Sequence, residues 1–216
     1  MFDKDKVRFH SAADYPLVGP NFGPHTTWGE FSNYCFQAAF QKGWWPAEDL
    51  LDISDDSKNI YFEIRQEKML LIESEKIEAF EAARNGDPLN VWYTTAPSLK
   101  PEGVQSELAD VVIRIADWTG AEAASRPESF WDESAAAMIG GFDPETMPEN
   151  YRITTIREFA NHISRSGASI GPDGHLQDVR RIFLLAAQCG ADLWPAINAK
   201  LAYNATRPAR HGGKLA

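Results

Sequence analysis

The chain has 216 residues, of which 44% are hydrophobic, and its 21 basic and 31 acidic side chains give a formal net charge of -10. This apolar content supplies the core of one ordinary globular domain and argues against a disordered chain. The negative charge repels a phosphate backbone and argues against broad nucleic-acid binding, whereas a small polyanionic ligand can still bind where metal ions neutralise it.

Cysteine content and hydropathy indicate the cellular setting. Only Cys35 and Cys189 are present, so no disulfide framework is predicted and a reducing cytoplasm is the simplest compartment. The first residues lack the apolar core of a signal peptide, and no apolar run is long enough to span a membrane. We therefore expect a soluble cytoplasmic protein with no membrane partner.

The chain begins with an irregular arm, followed by the first predicted helix. Residues 1–27 are rich in proline, glycine and histidine, which is typical of irregular structure. Thr27 or Ser32 can cap a helix that runs through FSNYCFQAAFQKGWW, residues 31–45. Gly43 lies near the predicted end of this helix.

Two longer helices are predicted next. An acidic, loop-like stretch at 46–59 precedes a helix over about 61–84, which the Asn85-Gly86 pair ends. Residues 87–103 form a loop or a short extended connection. The segment ELADVVIRIADWTG then predicts a helix that closes at Gly120.

The remaining chain is predicted to hold a peripheral segment and three more helices. Residues 121–150 indicate a mobile loop or an insertion rather than core, and helices are expected near 154–165, 176–189 and 193–206. A basic tail at 207–216 ends the chain. Strands are almost absent from the prediction, so the fold class is all-α, with one domain over 1–216.

Acidic side chains on the ELAD helix form a narrow stripe. At 3.6 residues per turn, Glu107, Asp110, Arg114 and Asp117 fall within an arc of about 80°. Apolar residues occupy the rest of the circumference, which is typical of a largely buried helix. The stripe is therefore expected to face an internal cleft.

The preceding helix carries a second acidic pair. Glu75 and Glu78 share a face with apolar residues, whereas Glu73 and Lys76 project towards the other side. Lys68 also falls on the inward face and can offset one acid. This pattern predicts that Glu75 and Glu78 point towards the core.

The two inward pairs, Glu75 with Glu78 and Glu107 with Asp110, require cations if they are buried together. Hard oxygen ligands favour Mg²⁺ or Mn²⁺, which share their coordination shell with substrate phosphates. In the alternative interpretation these acids are solvated or pair with Lys68 and Arg114, and the residue pattern is compatible with both.

The paired motifs resemble those of the MazG-like members of the all-α nucleoside triphosphate pyrophosphohydrolase superfamily. The family signature is Glu-x-x-Glu on one helix and Glu-x-x-Asp on the next, and here these are EKIE at 75–78 and ELAD at 107–110. The resemblance covers residues 31–120 and 190–214. It implies a MazG-like helical bundle in which most of 121–189, a loop and two helices, is an insertion before the last helix.

The ending AKLAYNATRPARHGGK, residues 199–214, also looks like that of the phage and bacterial branch of the family. Helical spacing places Lys200, Asn204 and Arg207 on one face, where the resemblance implies that they contact phosphate or base.

Trp44 and Trp45 are candidates for stacking on the base, and in the alternative the GWW segment anchors the end of the first helix. Lys68 is a further candidate for substrate binding.

The resemblance implies Mg²⁺-dependent hydrolysis of a nucleoside triphosphate to the monophosphate and pyrophosphate, in a homodimer or a dimer of dimers. Glu75, Glu78, Glu107 and Asp110 would hold the metal, and Glu75 or Glu78 would orient the attacking water as general base. The competing hypothesis is a non-catalytic helical interaction protein whose acids form a structural divalent-ion site.

Overall fold

The structure is a computed structural model that describes residues 7–9, 21–45, 58–97, 99–124, 135–140, 142–166 and 172–209. The predictions for most of the N-terminal arm, for 46–57 and for the tail beyond 209 lie outside these ranges. For residues 7–9, 58–63 and 172–173 only the backbone is described.

Helices dominate the described residues, which confirms the predicted all-α character. They are accompanied by three short strands and one 3-10 turn at Glu149–Tyr151. In chain order the elements are β1 (Val7–Phe9), α1 (Trp28–Gln41), α2 (Lys58–Arg84), β2 (Tyr93–Thr95), β3 (Pro101–Glu102), α3 (Val104–Ala124), α4 (Ile156–Ile163), α5 (Pro172–Gln188) and α6 (Trp194–Thr206). Among the described residues, no helix has both the length and the apolar character needed to cross a membrane.

The helix α1 begins at the first of its two predicted caps. The Thr27 hydroxyl accepts a hydrogen bond from the Glu30 amide at 3.3 Å, and the Glu30 carboxylate accepts one from the Thr27 amide at 3.2 Å. This reciprocal pair is a capping box, which satisfies two amides that have no partner within the helix. Ser32 lies inside the helix and donates to the Trp28 carbonyl instead.

The other end of α1 comes earlier than predicted, at Gln41 rather than Trp45. The Gly43 amide donates to the Phe40 carbonyl at 2.9 Å, and the Trp44 amide donates to the Ala39 carbonyl at 3.1 Å. These two bonds form a Schellman motif, which requires a left-handed residue after the helix. Gly43 supplies it, with a φ of 77°.

The helix α3 is the centre of the fold, because α1, α2, α5 and α6 all pack against it. The prediction that it is largely buried is confirmed, but the prediction that it closes at Gly120 is wrong, since it continues to Ala124. A Cβ atom at Gly120 would lie 2.3 Å from the Ser32 carbonyl oxygen and 2.6 Å from the Phe36 Cβ. Gly120 therefore permits the close crossing of α1 over α3.

Parts of the segment that was expected to be peripheral belong to the core. Ala121 and Glu122 lie in α3 and are buried, and Ile139 is completely inaccessible to solvent. The helix α5 starts at Pro172 and buries Val179 and Ile182 among other apolar side chains. The expectation for 121–150 is therefore wrong for Ala121, Glu122 and Ile139, whereas α5 lies outside that segment, agrees with the helix predicted over 176–189 and covers one side of α3.

A small antiparallel sheet precedes α3. Its strand order is β1-β2-β3, with Val7 opposite Thr95 and Thr94 opposite Pro101. The sequence anticipated a short extended connection at 87–103 but not its partner in the N-terminal arm. The strand β3 contacts both α3 and α6, so the sheet covers the beginning of the central helix.

We expect Gly120→Ala to destabilise the protein by about 1 to 3 kcal/mol, because the added methyl group forces α1 and α3 apart. Urea unfolding at equilibrium measures the change. Gly23→Ala is the control, because a Cβ atom there meets nothing within 4 Å. Equal stabilities for the two variants would contradict the close crossing.

Candidate functional site

A cavity of about 490 Å³ lies between α1, α2, α3 and the end of α6. Four predicted carboxylates line it: Glu75 and Glu78 from α2, and Glu107 and Asp110 from α3. The same cavity has aromatic, apolar and cationic walls, which include Tyr34, Trp44, Leu71, Ile113, Lys42 and Arg207. The predicted stripe on α3 thus faces an internal cavity, together with the acidic pair of α2.

Three of the four acids converge closely. Glu75, Glu78 and Glu107 each place one carboxylate oxygen within 4.8 Å of the other two. Glu75 and Glu107 are buried, but Glu78 is exposed, so the prediction that Glu78 points towards the core is wrong. Asp110 lies half-buried beside this group and is held by a lysine.

Two cationic side chains already pair with the acids. Arg114 donates from Nε at 3.1 Å and from Nη2 at 3.0 Å to the same oxygen, Glu75 Oε1. Lys200 Nζ lies 3.4 Å from Glu107 Oε2 and also donates to Asp110. The interpretation that the acids pair with Arg114 is thus right for Glu75. Lys200 is almost completely buried and bonds to the carboxylates from behind the cavity wall.

Burial shifts the pKa values of these groups. Burial, with repulsion from Asp110 and Glu75, raises the pKa of Glu107 to about 7 although Lys200 opposes the shift. Burial and the Asp110 charge raise the pKa of Glu75 against the opposing effect of Arg114. For Lys200, burial lowers the pKa, but the charges of Asp110 and Glu107 more than compensate and raise it overall. Lys200 therefore stays protonated at neutral pH.

The charge and spacing of the cluster suit a divalent cation. The cluster holds four carboxylates and two cationic partners, so full ionisation of the acids would leave two negative charges without a partner in the cluster. Mg²⁺ and Ca²⁺ bind oxygen at about 2.0 to 2.6 Å, so ligand oxygens across such an ion are about 4 to 5 Å apart. The separations among Glu75, Glu78 and Glu107 fall within that limit. The residues present therefore fit the predicted ion.

Lys68 and Trp45, which were candidates for substrate contact, instead form a group with Asp117. Lys68 Nζ is 3.3 Å from Asp117 Oδ2 and 3.9 Å from the centroid of the Trp45 ring. The Trp45 indole donates to Asp117 Oδ1 at 2.5 Å. All three side chains are buried. Trp45 is thus an anchor for the end of α1, and Lys68 balances Asp117 rather than Glu75 or Glu78.

Three of the other predicted contacts line the cavity, whereas the fourth, Lys200, pairs with Glu107 and Asp110 instead. Trp44, Asn204 and Arg207 are partly buried there, and the Arg207 guanidinium lies 5.7 Å from the centroid of the Tyr203 ring. Sequence reasoning missed Lys42, whose Nζ donates to the Ala205 carbonyl at 2.9 Å and to the Arg207 carbonyl. No sequence signal pointed to Lys42, because its partners are backbone atoms more than 160 positions away.

The burial of Lys76 differs from what the helical projection of α2 predicts. It was expected on the outer, solvated side, but it is only 6% exposed and its Nζ bonds to Glu73 at 2.8 Å. The helix α2 packs against α4 as well as against α3, so a second side of it is covered. A projection of one helix cannot show this second neighbour.

The fold and the site define a mostly helical protein with a carboxylate cluster at one cavity, where two helices each contribute an acidic pair. Comparison with known proteins adds no family to this description: no protein-family model, curated protein or solved structure matches the chain.

We expect Glu107→Gln to change how stability depends on pH when divalent cations are absent. The pKa of Glu107 is about 7 in the folded protein against an ordinary 4.5, so the folded state binds more protons between these values. The Glu107 contribution to the unfolding free energy therefore falls as pH rises from about 4.5 to about 7 and is constant above.

The variant lacks this titration, so it should gain stability relative to the parent protein as pH rises, by up to about 3 kcal/mol at pH 8. Urea unfolding at pH 5 and pH 8 in the presence of a chelator measures the difference. The same difference between variant and parent at both pH values would contradict a raised Glu107 pKa.

Proposed function

We propose that this protein is a divalent-cation-dependent nucleoside triphosphate pyrophosphohydrolase, with Mg²⁺ or Mn²⁺ as the ion. The observation that carries the proposal is the convergence of Glu75, Glu78 and Glu107 from two neighbouring helices in one cavity. Their sequence pattern, Glu-x-x-Glu followed by Glu-x-x-Asp, resembles that of MazG-like proteins, and both pairs line the same cavity.

The cavity also suits the size and character of a nucleotide. Its volume of about 490 Å³ lies within the usual range of about 300 to 1,000 Å³ for small-molecule sites. One wall offers carboxylates, and other walls offer the Trp44 indole, the Asn204 amide and the Arg207 guanidinium. A triphosphate needs cations and donors, whereas a base needs an aromatic surface, and both kinds of group are present.

Within this proposal the carboxylates have different roles. Glu75, Glu78 and Glu107 hold the ion, and Asp110 keeps Lys200 beside Glu107. The bound ion supplies charge neutralisation for the phosphates and lowers the pKa of the attacking water. Because Arg114 occupies Oε1 of Glu75, the more exposed Glu78 is better placed to orient that water as general base.

The cationic end of the cavity binds the rest of the substrate. Arg207 and Asn204 contact phosphate oxygens, where a guanidinium and an amide stabilise charge that develops in the transition state. Trp44 packs on the base. Water adds to phosphorus, the bond to the leaving pyrophosphate breaks, and the proton of the water passes to the general base.

A specific observation favours the non-catalytic alternative. Arg114 and Lys200 together neutralise half of the acidic charge, so the cluster also has the composition of a structural polar network between α2, α3 and α6. In that case the cavity would bind an ion without turnover. The two functions differ in whether pyrophosphate is released.

We expect the protein to release pyrophosphate from at least one nucleoside triphosphate when each ribonucleotide and deoxynucleotide is supplied with Mg²⁺ or Mn²⁺. Pyrophosphate and the nucleoside monophosphate are measured together, because orthophosphate release would indicate a different reaction. Absence of pyrophosphate across the whole panel, with either ion, would overturn the catalytic proposal in favour of a structural ion site.

We expect Glu78→Gln to lower kcat by at least about 100-fold, because it removes both an ion ligand and the base that orients water. Glu81→Gln is the matched control: it lies one turn further along α2, removes the same charge, and pairs with Arg84 on the protein surface. Steady-state kinetics at saturating Mg²⁺ compares the two variants. If Glu81→Gln were as damaging as Glu78→Gln, general charge loss and not the site would explain the effect.

A further inference from the structure

The polar stripe of α3 continues beyond the ion cluster to Asp117. Asp117 forms a buried group with Trp45 and Lys68, which we call the Asp117 cluster. The Trp45 indole N–H donates to Oδ1 at 2.5 Å, Lys68 Nζ lies 3.3 Å from Oδ2, and the same ammonium lies 3.9 Å from the centroid of the Trp45 ring. Each member of the cluster is no more than 5% exposed.

These contacts give Asp117 a role different from that of Asp110 and Glu107, which lie about two and three turns before it. Both of its carboxylate oxygens already accept from protein donors, and its charge is balanced by Lys68. Among the described residues, the carboxylates that converge on a candidate ion position are Glu75, Glu78 and Glu107, not Asp117. Asp117 therefore holds Trp45 through the indole hydrogen bond.

Trp45 is the last residue of the turn that ends α1, which we call the 42–45 turn. Its first residue, Lys42, donates to the carbonyls of Ala205 and Arg207 at the end of α6. Its middle is fixed by the Schellman bonds of Gly43 and Trp44. The turn is thus tied to α6 at one end and to α3 at the other.

Trp44 lies between these two ties and lines the cavity, whereas Trp45 points into the core. Of these two successive residues, Trp45 anchors the turn in the core and Trp44 forms part of the cavity wall. The Asp117 cluster thus holds the residue next to the cavity-lining Trp44.

We propose that Asp117 is a positioning residue that, through Trp45, holds the 42–45 turn so that the Trp44 indole forms the stacking wall for a flat aromatic base on a triphosphate ligand. The identity of that ligand rests on the proposed function. The phosphate part is bound by the ion cluster together with Asn204 and Arg207, and none of these residues belongs to the 42–45 turn.

The central test is Trp45→Phe, which keeps an aromatic ring in the core but removes the N–H donor to Asp117. Trp44→Ala removes the wall itself, and Asp117→Asn tests the acceptor side. Trp28→Phe is the matched control: Trp28 is completely buried, and the described part of the chain gives its indole N–H no acceptor. The near-ultraviolet circular dichroism of each variant checks that the core is intact.

Two ligands distinguish the contribution of the Trp44 wall to binding from that of the ion cluster. The KM for a nucleoside triphosphate reports on the base and the phosphates together, and the inhibition constant of inorganic tripolyphosphate reports on the phosphates alone. We expect Trp45→Phe and Asp117→Asn to raise the nucleotide KM by about five- to tenfold and Trp44→Ala to raise it at least as much. The kcat values, the tripolyphosphate constants and all values for Trp28→Phe should stay within about twofold of the parent protein.

An unchanged nucleotide KM in Trp45→Phe would overturn the proposal. The proposal would also be overturned if Trp45→Phe weakened tripolyphosphate binding as much as nucleotide binding, because that result indicates general loss of structure and not a misplaced wall. Binding of a nucleoside triphosphate with a non-hydrolysable α,β-methylene bridge, measured by calorimetry with Mg²⁺, separates this proposal from the proposed function.

If the parent protein binds this analogue but hydrolyses no triphosphate, the proposed enzymatic activity is refuted. The affinities of the same variants for the analogue then test whether Trp44 forms the stacking wall. A parent protein that binds tripolyphosphate but no analogue would overturn the wall proposal. Selective loss of analogue affinity in Trp45→Phe and Trp44→Ala, with tripolyphosphate affinity retained, would support it.

Discussion

The burial of excess negative charge between α2 and α3 is the constraint on which the rest of the site depends. Carboxylates that leave water lose far more solvation energy than a single distant cation returns, so their partners must lie in direct contact. Arg114 supplies one partner within α3 itself, and Lys200 supplies the other from α6. The last helix is therefore tied to the central one by charge as well as by apolar packing. A divalent ion would balance the remaining excess.

Close helix packing makes this arrangement possible. The helix α1 crosses α3 at Gly120, where any side chain would strike the Ser32 carbonyl. With α1 held that close, its end reaches both α3, through Trp45, and α6, through Lys42. The cavity is thus bounded by helices whose ends are bonded to one another. Such bonding suits a site whose walls must keep their spacing when a charged ligand enters.

One stripe of α3 serves two purposes along its length. Its first half, Glu107 and Asp110, faces the acids of α2 and the buried Lys200. Its second half ends in Asp117, which has all its partners within the protein. Arg114 lies between them and holds Glu75. Polar residues that look equivalent on a helical projection therefore differ in function, because different neighbouring elements lie opposite each turn.

The sequence by itself determined the helical class, the start of α1 at one of two candidate caps, and the buried stripe of α3, because these depend on contacts within one element and on periodicities that a single segment carries. The convergence of Glu75 and Glu107 was expected from the paired motifs, and the structure brings them together. The partner of each charge was decided by tertiary structure alone. Lys68 and Lys200 are both buried cations, yet one pairs with Asp117 and the other with Glu107, because side-chain pairing depends on where separate helices cross and not on any residue pattern within them.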